Sequence, residues 1–379
     1  MEYRELGKTG ERCSIIGLGC EHLDGKAFAQ VQETIDAALE NGDNILDVFM
    51  PGQQVRENIS KALGPRRRNV MIQGHIGSTI LRQQYDISRD LPVVKRYFED
   101  LLRIFGYIDF GMMFFIDSEA DYKGVFETGF ADYVLRLKQQ GDIRHIGFSS
   151  HNPVTAAQVI KTGLPEMMMF SINLAFDLYP AEVNALDELS QGLDKNAFHG
   201  FDPTRAALYA LCEKMGVGIT SMKTLGGGKL VSAEHTPFDQ PLTPAQCMHY
   251  VLTRPAVASA MIGCKSAAEV TEAVRYLQAD ERELDYTHVM HTLRNDFVGN
   301  CVYCSHCQPC PVGIDIAAVN KYLDIVRLDP ADVPPSVRLH YAGLSSSGKD
   351  CIGCGSCEKR CPFHVPIIKN MAEAAEIFQ

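Results

Sequence analysis

The chain has 379 residues, enough for one large domain and a small one. Hydrophobic residues make up 46% and charged residues 22%, an ordinary globular balance, and the net charge of −11 argues against nucleic acid or an anionic membrane as the main partner. The opening stretch MEYRELGKTGERC is polar and no apolar run approaches bilayer length, so a cytoplasmic setting with reduced thiols is expected.

Tyr3–Cys13 reads as a hairpin around Lys8-Thr9-Gly10. Short apolar runs then recur at Ser14–Gly19, Asn44–Asp47, Val70–His75, Tyr107–Phe115, His145–Ser149, Met167–Asn173, Val217–Met222 and Val257–Gly263. Between them lie helical patterns at Ala27–Asn41, Val55–Leu63, Val93–Phe105, Gly124–Gln140, Pro153–Gly163, Pro203–Met215, Pro244–Arg254 and Ala267–Gln278. Asp202-Pro203 and Thr243-Pro244 place a cap before a first-turn proline, and Gly163 and Gly216 follow helix ends. Eight strand–helix repeats predict an α/β fold, a (β/α)8 TIM barrel whose bottom the hairpin closes. A doubly wound open sheet is the alternative, but Gly17-Leu18-Gly19 lacks that fold's third glycine. A polar insertion spans Leu189–Phe201, and Asp280–Val298 bridges to the last segment.

That segment is dominated by two cysteine runs. Cys301, Cys304, Cys307 and Cys310 precede Pro311; Cys351, Cys354, Cys357 and Cys361 precede Pro362. The second run has the C-x2-C-x2-C-x3-C-P spacing of bacterial ferredoxins that carry [4Fe–4S] clusters. Three thiolates two residues apart wrap one cluster, and the fourth reaches the other. One cluster is therefore assigned to Cys301, Cys304, Cys307 and Cys361, and the second to Cys351, Cys354, Cys357 and Cys310. The first run departs by one residue before its Cys-Pro. Structural zinc or disulfides are the competing readings. Cys13, Cys20, Cys212, Cys247 and Cys264 read as ordinary buried thiols. Ile314–Leu328 reads as a helix, and Asp329–Ser347, rich in Pro, Ser and Gly, as a loop. The domains are thus a barrel over residues 1–297 and a small, mainly helical ferredoxin-like domain over 298–379.

YRELGKTGERCSIIGLG at Tyr3–Gly19, IGFSSH at Ile146–His151, MKTLGGGKL at Met222–Leu230 and AMIGCKSAAEVTEAV at Ala260–Val274 resemble the aldo/keto reductase family. More narrowly, the chain is similar to bacterial members with a C-terminal ferredoxin domain. The resemblance implies carbonyl reduction by NAD(P)H through an Asp, a Tyr, a Lys and a His. Asp47 matches the Asp, whereas Gly52, His75 and Phe114 stand at the other three positions. It also implies nucleotide contacts. Ser149 and Ser150 stand at the pair that holds the nicotinamide amide, and Asn173 matches a family Asn. Gly226, Gly227 and Gly228 offer backbone N–H groups to a pyrophosphate. Lys265 and Ser266 stand near the 2′-phosphate position, where Lys lacks the fork of Arg.

Polar residues expected at the C-terminal ends of the strands are Glu21, His22, Asp47, His75, Asp117, His151, Asn173 and Lys223. Asp47 and His75 lie on neighbouring strands and make a workable acid–base pair; His75 as a purely structural filler is the plainer reading. Lys223 suits an anionic cofactor or substrate group, or is a solvated loop lysine. Asp117 reads as a surface helix cap. A cluster passes one electron at a time and a nicotinamide passes hydride, so joining them needs a flavin or a substrate that tolerates a radical. Three functions are open: an iron–sulfur oxidoreductase acting on a small-molecule substrate, served by a redox partner protein; an NAD(P)H-dependent carbonyl reductase with His75 as acid; and a non-catalytic electron-transfer subunit.

Overall fold

Each of the eight apolar runs becomes a strand in the computed structural model, which describes residues 1–81, 84–290 and 298–378. In chain order the strands are β1 (Tyr3–Glu5), β2 (Arg12–Ser14), β3 (Ile16–Gly19), β4 (Ile45–Val48), β5 (Met71–Ile76), β6 (Ser78–Leu81), β7 (Gln84–Ile87), β8 (Ile108–Met113), β9 (Ile143–Ser150), β10 (Met167–Ser171), β11 (Gly218–Met222) and β12 (Val257–Gly263). The eight runs close into the expected barrel, in the order β3-β4-β5-β8-β9-β10-β11-β12. The predicted hairpin is present as β1 paired antiparallel with β2.

Alternation along each strand decides what fills the barrel. Ile45, Met71, Phe110, Met112, Met167, Met169, Ala258 and Met261 form one buried cluster, joined by Leu6 and Cys13 from the hairpin. Leu6 plugs the floor: a Cβ on Gly218, the first residue of β11, would lie 2.6 Å from the Leu6–Gly7 backbone. The methionines need room in the wall. A Cβ on Gly147 would come within 2.4 Å of the Met112 sulfur and 2.8 Å of Met167 Cγ, so a larger residue there must displace those side chains.

The chain forms two compact units. One comprises Met1–Ser171, Val217–Lys223 and Ala258–Leu277, and holds the barrel strands apart from Val257. The other comprises Ile172–Gly216, Thr224–Val257 and Gln278–Gln379. The domain boundary expected at 297/298 adjoins residues 291–297, which lie outside the described residues. In the second unit Ile325, Val326 and Val337 pack with Ala210, Tyr322, Val333, Ile377 and Phe378. This gathers four helices: Pro203–Met215, Ile316–Leu328, Pro335–Ala342 and Ile367–Ile377.

Three expectations need correction. The loop assigned to Asp329–Ser347 contains the helix Pro335–Ala342. Its prolines sit at the cap and first turn, where a missing N–H is harmless, and Val337 and Tyr341, one turn apart, are buried. The single helix over Gly124–Gln140 is two, Glu119–Phe126 and Phe130–Gln140, parted at Gly129 with φ 78°. A hairpin, β6–β7, follows β5 where no strand was expected. Among the described residues, no helix is long and apolar enough to cross a membrane.

Candidate active site and cysteine cavities

Gln73 and His75 share the inward face of β5, two residues apart, and Asp47 faces them from β4. His75 Nε2 lies 2.7 Å from Asp47 Oδ1, and Gln73 Nε2 donates to the same oxygen at 3.1 Å. Thr220 on β11 donates to Gln73 Oε1 at 2.7 Å across the barrel. All four side chains are buried. His75 Nδ1 is buried with no partner among the described residues.

Aromatic rings lie over this pair. Phe49 and Phe114 meet the His75 ring edge-on, with centroids at 6.1 and 5.0 Å. Tyr85, from the β6–β7 hairpin, packs on both at 5.5 and 5.8 Å. The Asp47–His75 pair was expected from strand adjacency. Gln73, Thr220 and Tyr85 were missed, and only period-2 counting along β5 would have found the first.

Asp117 is not the helix cap it was expected to be. Ser118 caps Glu119–Phe126 through a capping box with Asp121. Asp117 instead accepts from the Ser150 hydroxyl (2.9 Å), the His151 N–H (2.6 Å) and His151 Nδ1 (2.8 Å). Burial alone would raise its pKa. The His151 ring, the His151 N–H and Ser150 outweigh that and hold the carboxyl below its ordinary value.

The cysteines sort into two cavities. Cys301, Cys304, Cys307 and Cys361 line one, with Val302, Phe363 and Val365. Cys310, Cys351, Cys354 and Cys357 line the other, with Ile314, Ile316 and Ile352. Each run thus lends its fourth cysteine to the other run's cavity. Arg360 ties the runs together, donating to the carbonyls of Cys307 (2.6 Å) and Pro309 (2.7 Å). The Gly299 N–H adds a bond to the Phe363 carbonyl at 2.7 Å. Burial pushes the Cys304 thiol up to about 12, whereas Cys354 is exposed, and bonding from Ser356 holds its thiol below the ordinary value. Among the described residues, no three His, Cys, Asp or Glu side chains converge closely enough to hold a single metal ion. The other five cysteines are buried, as expected.

The family model described as the aldo/keto reductase family matches residues 15–246, more than half of the chain. This chain belongs to the aldo/keto reductase family. It is accordingly an oxidoreductase. Solved aldo/keto reductases share the fold. The holo form of aldo-keto reductase AKR11C1 from Bacillus halodurans is 20% identical with a TM-score of 0.57, covering 76% of this chain and 95% of that one. Its apo form is 21% identical with a TM-score of 0.53 and the same shares. PA4992 from Pseudomonas aeruginosa, assigned to the same reductases, is 18% identical with a TM-score of 0.53, covering 73% and 96%. No curated protein matches the chain.

Within this aldo/keto reductase, the residues expected at a nucleotide are spread over both units. In the first unit Ser149 accepts from the Phe115 N–H at 2.9 Å, and Ser150 is committed to Asp117. Lys223 follows β11 with φ 59°. Lys265 and Ser266 are exposed, with Ser266 capping Ala267–Val274. In the second unit Asn173 caps Leu174–Leu178 through the Phe176 N–H at 2.9 Å. Gly226, Gly227 and Gly228 form a turn with φ of 57°, 62° and 87°, a conformation that favours glycine.

Proposed function

We propose that this aldo/keto reductase reduces a small organic substrate with electrons relayed by two [4Fe–4S] clusters, one held by Cys301, Cys304, Cys307 and Cys361 and the other by Cys310, Cys351, Cys354 and Cys357. The observation that supports this reading is the sorting of eight cysteines into two cavities of four, with Cys310 and Cys361 exchanged. Sulfurs spread round a cavity suit a multi-atom cluster better than one zinc ion, which asks for four donors at about 2.3 Å from a point. Such clusters supply electrons singly. The chain's own residues would hold them, line the cavities with apolar side chains and tie the two loops together through Arg360.

The barrel side of the reading rests on what occupies the family's catalytic positions. Asp47 keeps its residue. Gly52 and Phe114 have no proton to give, and Phe114 packs against His75 instead. An external redox protein is the fitting donor. NAD(P)H and a flavin remain candidate cofactors, the former through Ser149, Ser150, Asn173, Lys223, Gly226, Gly227, Lys265 and Ser266. Purification without air followed by iron and sulfide analysis tests the reading. About eight of each per chain is expected; colourless protein holding zinc overturns it.

The 2.7 Å contact between Asp47 and His75 favours a second reading, NAD(P)H-dependent carbonyl reduction with His75 as proton donor. His75→Ala then abolishes carbonyl turnover. Unchanged turnover in that variant removes this reading.

A further inference from the structure

One cavity lies apart from the barrel site and shares only Cys301 with the first cysteine cavity. It lies in the second unit, has a volume of about 230 Å3, and is walled by Phe201, Tyr209, Tyr250, Arg254, Cys301 and Tyr303 among others. That volume is below the usual range for drug-sized ligands. It exceeds the roughly 150 Å3 of an engineered apolar cavity that binds benzene, so one ring with a small substituent fits.

The charges lining the cavity can be paired off one by one. Asp177 accepts from Arg205 Nε (2.7 Å), the Tyr209 hydroxyl (2.7 Å) and the Tyr250 hydroxyl (2.6 Å). Asp202 is taken by the N–H groups of Thr204, Arg205 and Ala181 at 2.8 to 3.1 Å. Asp324 accepts from the Tyr303 hydroxyl at 2.8 Å and pairs with Arg327 at 3.2 Å. Arg254 differs. It is 6% exposed, and it donates from Nε to the Tyr250 carbonyl (3.1 Å) and from Nη2 to the Val302 carbonyl (2.9 Å) and the Thr253 hydroxyl (3.1 Å). Its hydrogen bonds run from Nε and Nη2, and among the described residues no carboxylate pairs with it. Its guanidinium lies between the Tyr250 and Tyr303 rings, 4.4 and 4.6 Å from their centroids. A buried cation with no carboxylate in direct contact among the described residues, set among phenol rings at a cavity wall, suits a ligand that brings a negative charge and a flat face.

We infer that this cavity is a binding site for a single-ring aromatic carboxylate, its charge on Arg254 and its ring among Tyr209, Tyr250 and Tyr303. Cys301 lines both this cavity and that of the first cysteine set. If the iron–sulfur reading holds, the bound ring lies beside the first cluster; the binding claim itself does not depend on iron.

Titration calorimetry on the intact, anaerobically purified protein tests it, with benzoate as the probe. Benzoate binds saturably. Benzyl alcohol, which has the ring without the charge, and acetate, which has the charge without the ring, each bind at least about tenfold more weakly. Ala206→Phe, on the helix wall of the cavity, removes benzoate binding while iron content stays at the parent level. Arg254→Gln removes it as well; should that variant not fold, Ala206→Phe decides. Absence of saturable benzoate binding, equal binding of benzyl alcohol, or full binding by Ala206→Phe overturns the inference. Iron analysis of the same samples separates this result from the cluster reading.

Discussion

Asp47 satisfies two buried neighbours with one oxygen. Replacing it with alanine strands the Gln73 amide and the His75 ring inside the barrel. We expect Asp47→Ala to lose about 3 kcal/mol in urea denaturation. Asp43 offers a pH test. Burial lifts its carboxyl to about 8, and its Oδ1 has no partner among the described residues. The unfolded chain ionises there at about 3.9. Between about 4 and 8 the unfolded state therefore sheds a proton that the native state keeps, and native stability falls as pH rises. Asp43→Asn lacks this loss. Its stability relative to the parent should climb through that window and level off above it, read as melting temperature against pH. At this scale the Asp47–His75 contact was legible, because adjacent strands of known direction bring it about. Asp117 was not. Its acidic surroundings in the sequence suggest a cap, and only the return of β9 beside it supplies His151 and Ser150.

Among elements, the barrel strands were legible because buried parallel strands write themselves as apolar runs between helical stretches. The Pro335–Ala342 helix was hidden by its composition. Prolines and serines signal a loop locally, while the burial of Val337 is decided by Ile325 and Val326 in another helix. The β6–β7 hairpin was hidden for a similar reason: its ring contacts come from Phe49 and Phe114, just after β4 and β8, each about thirty residues away in the chain. The wall of β9 gives a direct test of packing. Gly147→Val forces a side chain onto Met112 and Met167, and should destabilise by about 1–3 kcal/mol or more. A variant as stable as the parent would show that the methionines can yield.

For the molecule as a whole, the sorting of the cysteines makes a prediction that sequence neighbours alone would get wrong. If each set of four holds one cluster, Cys361→Ser should damage the same cluster as Cys301→Ser, and Cys310→Ser the same one as Cys351→Ser. Each variant should keep about half the iron, and paramagnetic resonance of the reduced protein should show which signal remains. Pairing by run instead, with Cys361→Ser matching Cys351→Ser, would refute the exchange.

The swapped fourth cysteines also bear on how the chain comes off the ribosome. Residues up to 350 leave the first cavity with three sulfurs and the second with one. Neither quartet exists until the chain has been made past Cys351: Cys357 completes the second and Cys361 the first. If the quartets hold clusters, loading at either place waits until that stretch has been made, and a chain cut short before Cys357 would forfeit both together.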